Sequence, residues 1–139
     1  MEYNKCKENA IKINMSNETN LDDDCFKFKN TNLLLNGKFV DEFGTIRYYK
    51  DGKLHNENGP AYIRKDGYKA YWINRKRHRI DGPAIIYVGE DYDWWINGWY
   101  VEKETINNWL TENDIPLDWN TWTNEDKMLF ALHWYDYKG

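Results

Sequence analysis

The middle of the chain alternates bulky apolar side chains with polar ones. Between Thr45 and Ile96 the pattern fills three stretches, "TIRYYKDGKLH", "AYIRKDGYKAYWI" and "AIIYVGEDYDWWI", which are rich in Tyr, Trp and Ile. A period of two residues with aromatic and β-branched side chains is typical of β-strands. Asp-Gly and Asn-Gly pairs accept the positive φ of tight hairpin turns. The sequence therefore predicts β-hairpins that turn at Asp51-Gly52, Asp66-Gly67 and Asn97-Gly98.

The hairpin pattern recurs at a step of 23 residues. Gly59-Pro60-Ala61 returns as Gly82-Pro83-Ala84, and His55 returns as His78. Val101 stands where a third histidine would fall. A repeat of this length predicts hairpin units that are marginally stable alone and become stable when they stack.

Three units follow from this step, over 36–58, 59–81 and 82 to about 101. We expect an α+β fold, in which an antiparallel β-hairpin repeat sheet of three units of about 23 residues carries a C-terminal two-helix cap. The chain then divides into a polar N-terminal segment (1–35), the hairpin repeats (36–101) and a helical hairpin (102–139).

The last third of the chain changes to helical spacing. Ile106, Trp109 and Leu110 recur at that spacing, and a following proline suits a helix that stops near Asn113. A second helix is predicted over 124–135, since Thr and Asp stand in capping-box spacing at its start. Its apolar face consists of Met128, Leu129, Leu132 and Tyr135. These helices would close the open end of the sheet, because a repeat array needs caps.

The first 30 residues are mostly polar. Ile11 and Ile13, then Phe26 and Phe28, alternate with polar residues, which predicts two short edge strands. The stretch "SNETNLDDD" between them indicates a loop, and Asp22-Asp23-Asp24 is expected to be solvated there.

Composition narrows the class of protein. Aromatic residues make up 17% of the 139 residues while the mean hydropathy is −0.95, so the core is expected to consist of a few large rings. The net charge of −4 argues against binding to a nucleic-acid backbone, because such binding needs many Lys and Arg contacts. No apolar run is long enough to span a membrane. Cys6 and Cys25 form no disulfide framework, which favours free thiols and a cytoplasmic location.

The two equivalent histidines admit a chemical and a structural interpretation. His55 with Glu57 and His78 with Asp81 could act as acid–base pairs. Alternatively, each ring packs under the next hairpin and hydrogen-bonds the corner that Gly-Pro-Ala closes. Repetition favours the structural role, since an active site is normally made once. No third ligand lies nearby in the sequence, so we expect neither a metal site nor a cofactor.

The residues that differ between the units are the expected place of function. The dense basic run "NRKRHRID" could bind phosphate, or it is a solvated hairpin return balanced by the acidic "GEDYD". Trp94 and Trp95 point to opposite faces of their strand, so each face is either core covered by the helices or a contact surface. The expected partner-contact residues are Tyr92, Trp94, Trp99, Tyr100, Arg75 and Arg77.

The motifs "YYKDGKLHNENGPA", "YWINRKRHRIDGPA" and the shortened "WWINGWYV" resemble the variant MORN-type repeats, in the subgroup with a His and a Gly-Pro-Ala. The resemblance covers about 36–101, and it departs from the pattern at Arg75, where Gly is expected, and at the missing third His. It implies a non-enzymatic array that mediates contacts. Together with the ending around "EDKMLF", the chain looks like proteins of phages and large DNA viruses, some of them antitoxin- or immunity-like.

Three functions remain open from the sequence. The first is a cytosolic protein-binding module, which the resemblance narrows to a viral or phage inhibitor that masks a host defence-type protein. The second is a module that sequesters a nucleotide or another small molecule on Tyr71, Trp72, Trp94 and Trp95. The third and least favoured is a His/Asp hydrolase. An exposed sheet edge could also pair two copies into a homodimer.

Overall fold

The computed structural model describes residues 11–12, 18–21, 25–28 and 33–139. In chain order the strands are β1 (Ile11–Lys12), β2 (Glu18–Leu21), β3 (Cys25–Phe28), β4 (Gly37–Val40), β5 (Ile46–Lys50), β6 (Lys53–Leu54), β7 (Tyr62–Ile63), β8 (Lys69–Ala70), β9 (Trp72–Ile73), β10 (Lys76–Arg77), β11 (Ile85–Ile86), β12 (Tyr92–Ile96) and β13 (Trp99–Val101). The helices are α1 (Lys103–Glu112), a 3₁₀ turn (Trp119–Thr121) and α2 (Asn124–Trp134).

Nine of the described strands form one sheet. They follow the order β1-β4-β5-β7-β8-β11-β12-β13, with β6 beside β5. The pairs are antiparallel except for β1 and β4, in which Ile11 lies opposite Phe39. Separate two-stranded sheets join β9 to β10 and β2 to β3. The predicted mostly antiparallel sheet with two helices near the C-terminus is confirmed, and the α+β class fits it.

Two-residue turns close three of the hairpins. Asp51-Gly52 has φ angles of 51° and 76°, and Asn97-Gly98 has 54° and 81°, as the sequence predicts. Positive φ at both residues is the type I′ geometry, whose twist matches that of paired strands. Asn74-Arg75 has the same geometry at 48° and 66°, although its second residue carries a long side chain. At Asp66-Gly67 only Gly67 has positive φ.

Each Gly-Pro-Ala triplet lies directly before a short strand. The N–H groups of Ala61 and Ala84 donate to the carbonyls of Ala70 and Asp93, at 2.9 and 3.0 Å. The triplet glycines have no positive φ, so a left-handed backbone does not require them. At the second one, a Cβ on Gly82 would lie 2.7 Å from Cζ of Arg79, so the tip of this arginine would have to move.

The two C-terminal helices begin and end near their predicted positions. The chain leaves α1 at Asn113, as expected. At the start of α2, Thr123 Oγ1 accepts the N–H of Asp126 and the Asp126 carboxylate accepts the N–H of Thr123, which is the predicted capping box. No helix in the described ranges is long and apolar enough to cross a membrane.

The helices bury one side of the last hairpin. The core consists of Trp94, Ile96, Val101, Ile106, Leu110, Ile115, Trp122, Phe130 and Trp134. Four of these nine side chains are large rings, and four more aromatic residues pack against them, in line with the composition. Because strand residues alternate, Trp95 lies on the opposite side of β12 from Trp94.

The apolar face predicted for α2 lies in solvent. Met128, Leu129, Leu132 and Tyr135 are exposed, whereas Phe130 and Trp134, one turn apart on the other side, are buried. The helix has two apolar sides, and the side with the larger rings packs on Trp94 and Trp122. Large rings bury more area, which explains the outcome.

The N-terminal segment corrects one expectation. Within "SNETNLDDD", Glu18–Leu21 forms β2 and pairs with β3, so these residues are a strand where the sequence indicates a loop. Backbone pairing with β3 here overrides the low strand propensity of Glu and Asn. The predicted strands at Ile11 and Phe26 are present, the first at the edge of the large sheet and the second in the separate β2–β3 pair. Cys6 and Asp22-Asp23-Asp24 lie outside the described residues.

Candidate functional site

The His55 ring is a buried acceptor for a hairpin turn. Its Nδ1 accepts the N–H of Asn74, the first residue of a type I′ turn, at 3.0 Å. Its Nε2 lies 3.3 Å from Oε1 of Glu57. Since Nδ1 accepts, the ring proton resides on Nε2 and points to the carboxylate. The imidazole thereby acts as a structural acceptor for this turn.

His78 makes the same turn contact one step of 23 residues later. Its Nδ1 accepts the N–H of Asn97, at 2.9 Å, again at the first residue of a type I′ turn. Burial lowers the pKa of His78, because loss of hydration destabilises the charged imidazolium more than the neutral imidazole. The neutral form is the one that can accept from Asn97.

A third turn is anchored without a histidine. Oδ1 of Asn36 accepts the N–H of Asp51, at 2.9 Å. In each hairpin the second turn residue also donates to a carbonyl of the preceding segment, with Gly52 bonding Leu35 at 2.8 Å. A side-chain amide from a different place in the preceding segment accepts the turn N–H here, so this contact requires an acceptor rather than a base.

Two shallow polar clefts lie beside the histidine rings. One, of about 400 Å³, is lined by residues including Asn36, His55 and Glu57, and the other, of about 320 Å³, by residues including His78 and Asp81. The lone pair that a general base needs is occupied at Nδ1 in both rings. Within the described ranges, no group of three or more His, Cys, Asp and Glu side chains is placed to hold a metal ion.

Asp81 is engaged by an arginine. Nε of Arg79 donates to Oδ1 of Asp81 at 2.8 Å, and Nη1 donates to the Pro83 carbonyl at 3.1 Å. The same guanidinium lies 4.1 Å over the Tyr71 ring. One step earlier, Nδ2 of Asn56 makes the matching bond to a triplet proline carbonyl. Arg79 and Asp81 therefore brace the Gly-Pro-Ala corner.

The basic run is mostly occupied with packing. Arg77 lies between two indole rings, with Cζ 4.9 Å from Trp72 and 4.8 Å from Trp95. Such cation–π contacts are stabilising when they are shielded from water. Arg75 and Lys76 are the exposed basic side chains at this hairpin tip. The run therefore does not present a continuous cationic strip.

The four rings of the nucleotide-stacking hypothesis do not share one free face. Trp94 is only 1% exposed and packs on Trp122 and Phe130. Tyr71 is covered by Arg79, and Trp72 and Trp95 are separated by Arg77. Base stacking needs an uncovered ring face, so this geometry speaks against the hypothesis.

Of the six expected contact residues, one is buried in the core and a second is partly buried against it. Trp94 is core, and Tyr92 packs edge-on against Trp119 with ring centroids 4.7 Å apart. A side chain buried under the helices cannot reach a partner, which corrects the expectation for Trp94. Alternation along a strand shows that two faces exist, but it does not show which face the helices cover.

The last strand of the sheet presents its aromatic side chains to solvent. Trp99 is 49% exposed and Tyr100 is 43% exposed on the edge strand β13. Lys138 Nζ lies 4.9 Å over the Trp99 ring, and Tyr100 meets Trp95 edge-on. Val101, which stands at the histidine position, is buried.

Comparison with known proteins found no matching family model, no matching curated protein and no matching solved structure.

Proposed function

We propose that this chain is a non-enzymatic protein-binding module, built from three β-hairpin units of about 23 residues with a two-helix cap. Support for the units comes from hydrogen bonds that recur at the same step. The His55 N–H donates to the Tyr48 carbonyl at 3.0 Å, and the His78 N–H to the Tyr71 carbonyl at 3.1 Å. A scaffold bond is expected in every unit, whereas a catalytic group is not.

The observation that carries the proposal is that no later hairpin covers the return strand β13 among the described residues. In the two earlier hairpins the equivalent return strand is covered, since the carbonyls of Leu54 and Arg77 each accept a turn N–H from the next hairpin, at 2.9 Å. The equivalent carbonyl of Tyr100 accepts no turn N–H from the described residues. The aromatic side chains of this strand are the type enriched in binding hot spots.

The resemblance to variant MORN-type repeats supports a narrower version of the proposal. Chains with these motifs look like phage and large-DNA-virus proteins, and the array they imply mediates contacts. In this version the module is an inhibitor that masks a host defence-type protein in the cytosol of the host. Trp99, Tyr100 and the exposed Arg75 would make the contact.

The experiment uses the full chain as bait in lysates of candidate hosts. We expect one protein to be recovered in a fixed ratio to the bait, and to be lost when Trp99→Ala and Tyr100→Ala are combined. Phe43→Ala is the matched control, because Phe43 is an exposed aromatic residue at a different turn. Circular dichroism checks that each variant is folded. Recovery that is equal for all baits, or absent while the chain turns over a substrate, contradicts the proposal.

A further inference from the structure

The outer side of α2 is an apolar stripe. Met128 is 63% exposed and Leu132 is 65% exposed, and they lie one helical turn apart. Leu129 and Tyr135 extend the stripe on both sides. Contiguous exposed apolar side chains on a helix usually mark an interaction site. We call these four residues the outer stripe.

The outer stripe is not needed to hold α2 in place. Phe130 and Trp134 anchor the opposite side of the helix in the aromatic core, and Trp109 of α1 packs on both rings. Thr123 and Asp126 cap the first turn. The exposed apolar area of the stripe is therefore not what anchors α2 among the described residues.

The surroundings of the stripe are acidic. Residues 102–139 carry eight acidic and three basic side chains, whereas residues 33–101 carry nine acidic and eleven basic ones. Glu125 and Asp136 are exposed near the two ends of α2. Two of the three basic side chains are engaged elsewhere, since Lys103 pairs with Asp91 at 2.6 Å and Lys138 lies over Trp99. The third, Lys127, is exposed on α2 itself, so acidic side chains outnumber basic ones near the stripe without being alone there.

We propose that the outer stripe docks a basic amphipathic helix of a protein partner. Anchors at i, i+4 and i+7, which Met128, Leu132 and Tyr135 supply, are those of helix-to-helix recognition. The acidic rim favours Lys or Arg beside the partner's apolar face and steers its approach. The inference rests on the proposed binding function and names a surface and a class of partner for it.

Charge also argues against a second copy as the occupant. In an antiparallel pair of α2 helices, Glu125 of one copy would meet Asp136 of the other, and in a parallel pair like residues would meet. Either arrangement sets acid against acid, which costs binding free energy. An anionic membrane surface would be repelled for the same reason.

The test titrates the full chain with a synthetic helical peptide of leucine and lysine, about 18 residues or roughly five turns long, followed by fluorescence anisotropy. A peptide with glutamate in place of lysine is the comparison. We expect the lysine peptide to bind and the glutamate peptide to bind about tenfold more weakly or not at all. Combining Met128→Gln and Leu132→Gln should weaken the lysine peptide about tenfold or more.

Two controls distinguish binding at the outer stripe from non-specific binding of the peptide. Leu117→Gln removes an equally exposed leucine that lies off α2, and it should change the affinity by less than about twofold. Combining Glu125→Lys and Asp136→Lys should reverse the preference between the two peptides. Thermal unfolding that matches the parent chain shows that each variant is folded.

Several results would overturn the inference. These are no binding of the lysine peptide, binding that survives the double glutamine variant, or equal binding of the glutamate peptide. Self-association that the double glutamine variant abolishes would assign the stripe to a second copy, and stripe-dependent binding to phosphatidylcholine vesicles would assign it to lipid. If any of these occurs while host-protein recovery still depends on Trp99 and Tyr100, the binding module stands and only its second surface is lost.

Discussion

The hairpins and the helices are held together in different ways. In the hairpins, turn N–H groups donate to the segment before them, and Arg77 and Arg79 stack on aromatic rings. The buried side chains between these bonds are often as small as Ala61. In the helical part, Trp94 and Phe130 meet at the centre of a shared aromatic cluster, with ring centroids 5.5 Å apart.

The two kinds of contact stabilise regions of different size. A hairpin bond joins one turn to its neighbour, so its loss is felt mainly by that pair. The aromatic cluster joins β12, β13, α1 and α2, so its loss is felt by the whole C-terminal part. The two parts also differ in charge, since acidic side chains outnumber basic ones only in the helical part. Substitutions in the two parts should therefore differ in how much stability they cost and in how many elements they affect.

Phe130→Ala should have the largest effect. The ring is fully buried and contacts Trp94, Trp109, Trp122 and Trp134. Its removal should lower the free energy of unfolding by about 3–5 kcal/mol, because it opens a cavity at the centre of the cluster. Urea denaturation followed by tryptophan fluorescence measures this.

Leu129→Ala is the control for Phe130, since the residue is next along α2 but is exposed. It should cost less than about 1 kcal/mol. Equal losses for the two variants would show that the aromatic cluster is not the shared core of this region.

His78→Ala should have an intermediate and local effect. It removes the acceptor for the N–H of Asn97 and should cost about 1–3 kcal/mol. Amide hydrogen exchange should quicken at the Asn97 turn and change little at the Asp51 turn. The matched variant is His78→Asn, because Asn36 already serves as the acceptor in the first hairpin. It should recover most of the loss.

The pH dependence of stability distinguishes the imidazole from the amide. The pKa of His78 is lowered by burial, so the unfolded chain binds its proton more readily than the folded chain. The contribution of the neutral ring is complete above the unfolded pKa of about 6.5 and is lost as the pH falls through the lower folded pKa. The charged neighbours are Glu57, Asp81 and Arg79 in the adjoining cleft, with Lys76 on the hairpin itself. His78→Asn should flatten this part of the profile, and an unchanged profile would remove His78 as its source.

Arg75→Gly should have the smallest effect, and the opposite sign. Arg75 holds a φ of 66° at a turn position where Gly98 stands in the next hairpin. Glycine adopts this backbone without steric cost, so the variant should gain up to about 1 kcal/mol. Lys76→Gly is the control, because that residue lies in β10 with no such strain, and it should lose about 0.5–1 kcal/mol. A loss of stability in Arg75→Gly would show that the side chain supports the hairpin.

The turns and helix starts could be predicted from the sequence because they depend on local chemistry. Asn97-Gly98 accepts positive φ wherever it occurs, and the capping box at Thr123 is formed by residues three apart. The acceptor role of the histidines was also accessible, since His55 and His78 recur at one step while a catalytic group would not.

The choice between faces could not be predicted, because it depends on what packs from elsewhere in the chain. The sequence shows that Trp94 and Trp95 point apart, but only α1 and α2 decide that Trp94 is core. In α2 the apolar residues surround the helix, so periodicity selects Leu132 as readily as Phe130. The place of Arg77 between two indole rings joins residues from different hairpins, and no local pattern encodes it.

Val101 has a consequence for the length of the protein. The turns take acceptors from the segment before them, and Val101 stands at the position of His55 and His78 without a side-chain acceptor. A tandem copy of residues 59–81 would offer a carbonyl and a histidine to whatever hairpin follows, so duplication could lengthen the sheet without altering the aromatic cluster. Under the proposed repeat architecture, the number of hairpins would then be a heritable variable.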